Sequence, residues 1–432
     1  MRRNIVHPGA DELHYEIRGI VEFAESLADT GISITWENIG DPIFKGEEVP
    51  LWIREIVADE VKNNVLSYAY SPTKGLQAAR EWLAVDRSKQ GTELKAENIM
   101  FFNGLGDAIN KVYNWLNPEA RVLGPNPAYP THSAFEAAHA HSAHLTYQLD
   151  PNNHWLPDTA DIRKMVAGNK NIVALLMINP DNPTGTVYPR AILEEFMDIA
   201  REYDLFLIAD EIYANLTHHQ PDFISLGALT TDVPMLIMRG LSKEVPWPGS
   251  RCGWLEFYNL EANENFARYA KSIEEAKMTE VCSTTLPQSV LPIILDDPRY
   301  RPHLERRRKK YAARAHEAVA AFAPNPYLNA VLPKGAFYQA VTFSDRLLAK
   351  PFITSAANLR AQALLDDALA TIPAHNFDKR FCHQLLAATG ICTVPLTTGF
   401  NSSTPGFRMT LLEADDATFT RTLQVINDFA SP

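Results

Sequence analysis

The chain has 432 residues, 46% of them apolar, enough for two domains that share a continuous core. Its 52 acidic against 40 basic side chains give a net charge of −12, which argues against nucleic acid and anionic membranes as partners. Cys252, Cys282, Cys382 and Cys392 are widely spaced without a metal-ligand pattern, and no apolar run is long enough for a signal peptide or membrane span, so a reduced, cytoplasmic setting is expected.

In chain order, residues 98–103 read as a strand, followed by a Gly104–Gly106 turn and an amphipathic helix. The free N–H groups of Leu105 and Gly106 at that helix start form an anion site, helped by the helix dipole. Tyr129, before Pro130, reads either as an aromatic platform or as a core tyrosine. Residues 173–178 form an apolar strand running into the turn Asn179-Pro-Asp-Asn182-Pro-Thr-Gly185. That turn either holds the Asn182 amide rigidly for a ligand or is a plain Pro-rich connection. A helical pattern covers 190–203, and a second apolar strand, 205–209, delivers Asp210 at its C-terminal end with Tyr213 three positions on. Asp210 is there either a buried acid that needs a cationic partner or a helix N-cap. Residues 235–238 form a third apolar run, and the alternation of such runs with helical patterns is that of a parallel sheet with crossover helices. From residue 297 to 319 a charged helix reads as a solvated face, basic run 306–310 included, and residues 335–341 alternate as a strand of a smaller domain. Residues 343–383, rich in Ala and Leu, predict one or two further amphipathic helices, either a peripheral elaboration or a cover over a pocket. His139, His141, His218 and His219 read as exposed residues rather than ligands, and no metal site is expected.

The third apolar run leads into Arg239-Gly-Leu-Ser242-Lys243, with Arg251 eight positions beyond the lysine. A lysine amine beside small residues condenses with an aldehyde, and an arginine among glycines meets a phosphate. Pyridoxal 5′-phosphate carries both groups. The other elements then find uses. Asp210 keeps the pyridine nitrogen protonated, Asn182 and Tyr213 hydrogen-bond the phenolic oxygen, Tyr129 stacks on the ring, and Arg251 with the 105–106 amides takes the phosphate.

With these residues the chain resembles the class I/II aminotransferases, fold-type I pyridoxal-phosphate enzymes, from about Asn38 to Arg408. The matches are the 179–185 turn, Asp210 placed 28 residues after Asn182, Tyr213, and Lys243 with Arg251. The resemblance implies an α/β fold: a large domain with a mostly parallel sheet flanked by helices, plus a smaller α+β domain. It divides the chain into an N-terminal arm (1–50), a cofactor domain (51–310) and a C-terminal small domain (311–432) with an insertion at 343–383. It implies Lys243, Asp210 and Tyr213 as catalytic residues, and Leu105, Gly106, Tyr129, Asn182, Ser242 and Arg251 as further cofactor contacts. Gly40, Asn182 and Arg408 are implied as substrate contacts. Tyr70 is implied to reach the phosphate of a neighbouring subunit, which makes the enzyme a homodimer with shared sites. The reaction implied is ping-pong transfer of an amino group between an L-amino acid and a 2-oxo acid. A lyase, decarboxylase or synthase on the same fold is the alternative. A cofactor-sensing regulator would need a DNA-binding extension longer than the roughly 40 residues before Gly40. Departures from the family pattern are Gly240 in place of a common serine, Pro246-Trp247, Cys252, and the displaced glycine of 393–400. Gly106, where some relatives carry a basic residue, points to a small or neutral amino donor.

Overall fold

The computed structural model describes residues 5–13, 16–89, 91, 93–219, 223–229, 232–349 and 355–431. The apolar runs build one eight-stranded sheet, in spatial order Ile99–Asn103, Cys252–Tyr258, Met235–Gly240, Phe206–Asp210, Ile172–Ile178, Arg121–Asn126, Leu145–Asp150 and Leu156–Pro157. The strands from Met235–Gly240 to Leu145–Asp150 pair in parallel, and Cys252–Tyr258 runs antiparallel to both its neighbours.

Near-continuous apolar strands are what a sheet covered on both faces requires. Successive side chains alternate between the faces, so Ile208, Leu236 and Met238 join a core under helices Leu105–Asn114 and Glu264–Met278. Leu207, Ala209 and Ile237 join the opposite core, which continues into the C-terminal part of the chain.

The register decides where chemistry can occur. Ile178 pairs with Asp210 and Asp210 with Met238, so two strands end level and the third, Met235–Gly240, runs two residues further at the same edge. The 179–185 turn, Asp210 and the Lys243 segment therefore leave the sheet side by side, at the carboxyl ends where open α/β sheets bind ligands.

A second, antiparallel sheet has the order Leu328–Ala330, Tyr338–Phe343, Gly406–Thr410, Val394–Pro395. Thr35–Trp36 pairs in parallel with Ile391–Cys392, tying the N-terminal arm to the C-terminal part. Within 343–383 lie a four-residue helix, Asp345–Leu348, the helix Leu359–Thr371 and the start of Phe377–Thr389; residues 350–354 lie outside the described residues. Phe23 of helix Glu16–Ala28 packs its ring 4.7 Å from that of His383, so this segment backs the N-terminal helix instead of covering a pocket itself.

Two readings need correction. His218 is buried, with its ring nitrogens 3.0 Å from the carbonyls of Pro333 and Ala336. Burial lowers its pKa to about 4, so the neutral ring donates to one of them. The helix Tyr300–Phe322 is not solvated throughout its basic run, because Arg307 is buried against carbonyl acceptors and Glu47.

Candidate active site

Lys243 lies in the one-turn helix Leu241–Glu244 that follows strand Met235–Gly240. A Cβ at Gly240 would sit 2.8 Å from the Cys252 carbonyl oxygen, so a side chain there would need the backbone to shift. The Lys243 Nζ donates to the Gly40 carbonyl at 2.7 Å. Arg307 Nη1 donates to the carbonyls of Lys243 and Glu244 at 2.7 and 2.8 Å, and its Nη2 pairs with Glu47 at 2.9 Å. The 40–47 segment thus holds the lysine at both ends, by Gly40 on its amine and by Glu47 through Arg307 on its backbone.

Burial lowers the Lys243 pKa to about 8, with Asp41 pulling it up and Arg408 pushing it down. The neutral amine is the form that attacks an aldehyde. The rate at which apoprotein captures pyridoxal phosphate should therefore rise with pH and level off near pH 8. Stopped-flow absorbance checks this, and a rate still climbing at the pH of an ordinary lysine, about 10.4, would contradict it.

Asp210 is 2% exposed at its strand end, and residues 212–215 form turns, so it caps no helix. Its Oδ1 accepts from the Ile212 amide at 3.1 Å, and its Oδ2 lies 3.2 Å from His132 Nε2. His132 Nδ1 in turn lies 3.3 Å from the Tyr113 hydroxyl, so a buried polar chain fixes the carboxylate from behind. Tyr213 meets the Tyr338 hydroxyl at 3.0 Å. Burial, reinforced by Tyr338, pushes its pKa well above the ordinary value, which keeps the phenol protonated as a donor.

At one end of the site, Arg408 is buried in strand Gly406–Thr410. Its Nη1 donates to Asn182 Oδ1 at 3.3 Å and its Nη2 to the Asn38 carbonyl, while the guanidinium sits 4.5 Å from the Tyr338 ring centroid and 5.0 Å from that of Phe400. The altered 393–400 loop thereby supplies an aromatic floor to the arginine.

At the opposite end, Gly104 has φ +84°, and a side chain there would overlap the Arg251 guanidinium. Arg251 Nη2 donates to the Asn103 carbonyl at 3.1 Å, beside the first amides of helix Leu105–Asn114. A Cβ at Gly106 would meet no atom within 4 Å, which leaves that helix start open.

These groups converge on one cavity of about 610 Å³. Gly40, Leu105, Gly106, Tyr129, Asn182, Asp210, Tyr213, Ser242, Lys243, Arg251 and Arg408 all line it. Tyr70 does not; it is 84% exposed on the surface. A separate groove of about 850 Å³ between helices Gln77–Ser88 and Tyr300–Phe322 contains none of these residues. The donor set fits pyridoxal phosphate: an amine for the aldehyde, a fixed carboxylate for the ring nitrogen, and an arginine with helix-start amides for the phosphate.

Sequence reasoning missed His132, Asn38, Tyr338 and the wall formed by Ile17, Arg18, Val21 and Glu22. Tyr338 lay in the predicted 335–341 strand, whose alternation signalled burial but no role. The lone His132 on a helix gave no signal at all.

A family model described as aminotransferase class I and II matches residues 38–426. The chain is 47% identical over 420 residues to an uncharacterised aminotransferase of Methanocaldococcus jannaschii, covering 97% of this chain and 96% of the relative. It is 30% identical over 285 residues to the glutamate-pyruvate aminotransferase AlaA of Escherichia coli strain K12, covering 65% of this chain and 68% of that one. The fold superimposes on an alanine aminotransferase from Pyrococcus furiosus with a TM-score of 0.84, at 24% identity over 99% of both chains.

Proposed function

The chain belongs to the class I and II aminotransferases, so it is a pyridoxal-phosphate enzyme that transfers amino groups, and on that premise we propose the roles of its residues. The carrying observation is that Lys243, Asp210 and Arg408 line one cavity. Bound there, pyridoxal phosphate supplies an aldehyde that condenses with amines and a pyridinium that draws electrons from the substrate Cα. Lys243 Nζ, released when an amino acid takes its place, would take the proton from Cα and return it on the other side of the reaction. Asp210, fixed by His132 and the Ile212 amide, holds the proton on the ring nitrogen. With the cofactor bound, Tyr213 and Asn182 would donate towards the phenolic oxygen, Tyr129 would lie against the ring, and Ser242, Arg251 and the 105–106 amides would hold the phosphate. Arg408 receives the α-carboxylate in a forked geometry that lysine cannot reproduce, with Gly40 close by. The elimination, decarboxylation and synthase chemistries of the same fold are not favoured by these relatives.

We place the substrates with those named for the AlaA relative, glutamate and pyruvate, with alanine and 2-oxoglutarate as their counterparts. Alanine agrees with the open Gly106 position. Arg18, on the cavity wall from helix Glu16–Ala28, supplies a second guanidinium for the distal carboxylate of glutamate. Velocities measured with alanine against 2-oxoglutarate should give the parallel reciprocal plots of a ping-pong scheme, and intersecting lines would count against it.

The functional unit we propose is a homodimer. Val65, Leu66, Tyr68 and Tyr70 are each at least 70% exposed. The 69–71 stretch is joined to 283–285 by the bonds Thr285 Oγ1 to the Ala69 carbonyl and Ser71 Oγ to the Ser283 carbonyl, next to exposed Val281. Such an apolar patch calls for a partner, and Tyr70 projects from it. Mixing the inactive Lys243→Ala and Tyr70→Ala variants after brief unfolding should restore activity, because one site of the hybrid is then intact. No recovery beyond the sum of the two variants would contradict shared sites. Among the described residues no helix is long and apolar enough to cross a membrane. The four cysteines are free thiols, which fits a reducing cytoplasm.

A further inference from the structure

Asn38 occupies an unusual position in this site. Its backbone is clamped on both sides. The Glu37 amide donates to the Cys392 carbonyl at 3.0 Å, the Thr410 amide donates to the Glu37 carbonyl at 2.9 Å, and Arg408 Nη2 donates to the carbonyl of Asn38 itself. The Glu37 side chain is locked by Lys45 at 3.2 Å and by the Thr410 hydroxyl at 2.9 Å. Asn38 is therefore held in place, with 2% of its surface exposed, and it lines the cavity beside Gly40, Asn182 and Arg408. Yet neither Nδ2 nor Oδ1 of its side chain has a hydrogen-bond partner among the described residues.

A buried amide without partners is costly, and proteins pair nearly all such groups. An apolar side chain here would carry no such cost. The arrangement makes sense when the partner arrives with the substrate. We propose that Asn38 is a substrate-recognition residue, whose Nδ2 donates to the α-carboxylate as that group meets Arg408. This rests on the reading of Arg408 as the carboxylate-binding arginine. Arg408 already gives Nη1 to Asn182 and Nη2 to the Asn38 carbonyl, so an incoming carboxylate is placed next to the Asn38 amide. The donor adds a third direction of grip to the planar fork of the guanidinium, and it favours an anion over an uncharged group at that spot.

The test is a half-reaction with the cofactor-loaded enzyme, without oxo acid, following the absorbance of lysine-bound cofactor. Asn38→Ala should raise the half-saturating alanine concentration about 10- to 100-fold, the size of a hydrogen bond to a charged group, and change the limiting rate little. Asn38→Asp, which keeps the shape but withdraws the donor and sets a negative charge against Arg408, should raise it further. The absorbance of the loaded enzyme and its affinity for cofactor should stay as in wild type. Ethylamine, which lacks a carboxylate, should react equally well with all three proteins. Unchanged half-saturation for alanine in both variants overturns the proposal, and so does an equal loss with ethylamine, which would mark a structural role. Failure of the underlying reading is separable: Arg408→Lys would then leave the half-saturation for alanine unaltered.

Discussion

Lys243→Ala should leave an enzyme that binds pyridoxal phosphate without the absorbance of lysine-bound cofactor and turns over at least about 10⁴-fold more slowly. Two functions are lost together. In the proposed roles, the amine is both the group that condenses with the aldehyde and the base that serves the substrate Cα. General acid–base catalysis by a placed side chain alone accounts for about 10²–10⁴ in rate. Among the described residues no other amine lines the cavity, whose remaining cationic side chains, Arg18, Arg251 and Arg408, are arginines. The surroundings are also built around this one amine: the Gly40 carbonyl at 2.7 Å, and Arg307 on the lysine's own carbonyl at 2.7 Å. Single-turnover spectra and steady-state rates check the expectation. Turnover within about tenfold of wild type would remove Lys243 from the chemistry.

Asp210→Asn should lower kcat by about 10²–10³ and leave the half-saturating amino acid concentration nearly unchanged, as expected for an electrostatic contribution made in the transition state. The amide matches the carboxylate in shape, so the Ile212 N–H bond at 3.1 Å can persist. What disappears is the negative charge proposed to keep a proton on the ring nitrogen, in a site with 2% exposure where little solvent screens it. His132 cannot replace that charge, since it is at most neutral or cationic. His132→Asn should therefore cost less than Asp210→Asn, by loosening the carboxylate instead of removing it. An Asp210→Asn enzyme with wild-type kcat would show that the ring nitrogen needs no anionic partner here.

The parts of the site that could be read in the sequence share one physical property. Asn182 follows an apolar strand through a Pro-rich turn, Asp210 ends a second, and Lys243 lies three residues past a third, so local chain geometry places them at the same sheet edge. The pairing of Ile178 with Asp210 and of Asp210 with Met238 is the structural counterpart of that pattern. Arg408 carried no local signal and was found only through resemblance. His132 reaches Asp210 across 78 residues, and Asn38 meets Arg408 across 370, distances at which single-sequence spacing is silent. Arg307 was hidden for another reason: a basic run on a helix averages to a solvated face, while one member of the run points inward. The 343–383 segment gave the right kind of element, but its role as backing for helix Glu16–Ala28 depends on packing across the whole chain, such as the Phe23–His383 contact.

The most direct measurement is the spectrum of the cofactor-loaded enzyme mixed with L-alanine alone. Loss of the lysine-bound cofactor band, growth of the pyridoxamine band and release of one equivalent of pyruvate per site are the result predicted by amino transfer at Lys243. Turnover of an amino acid with release of ammonia or carbon dioxide, and no pyridoxamine formed, would contradict it.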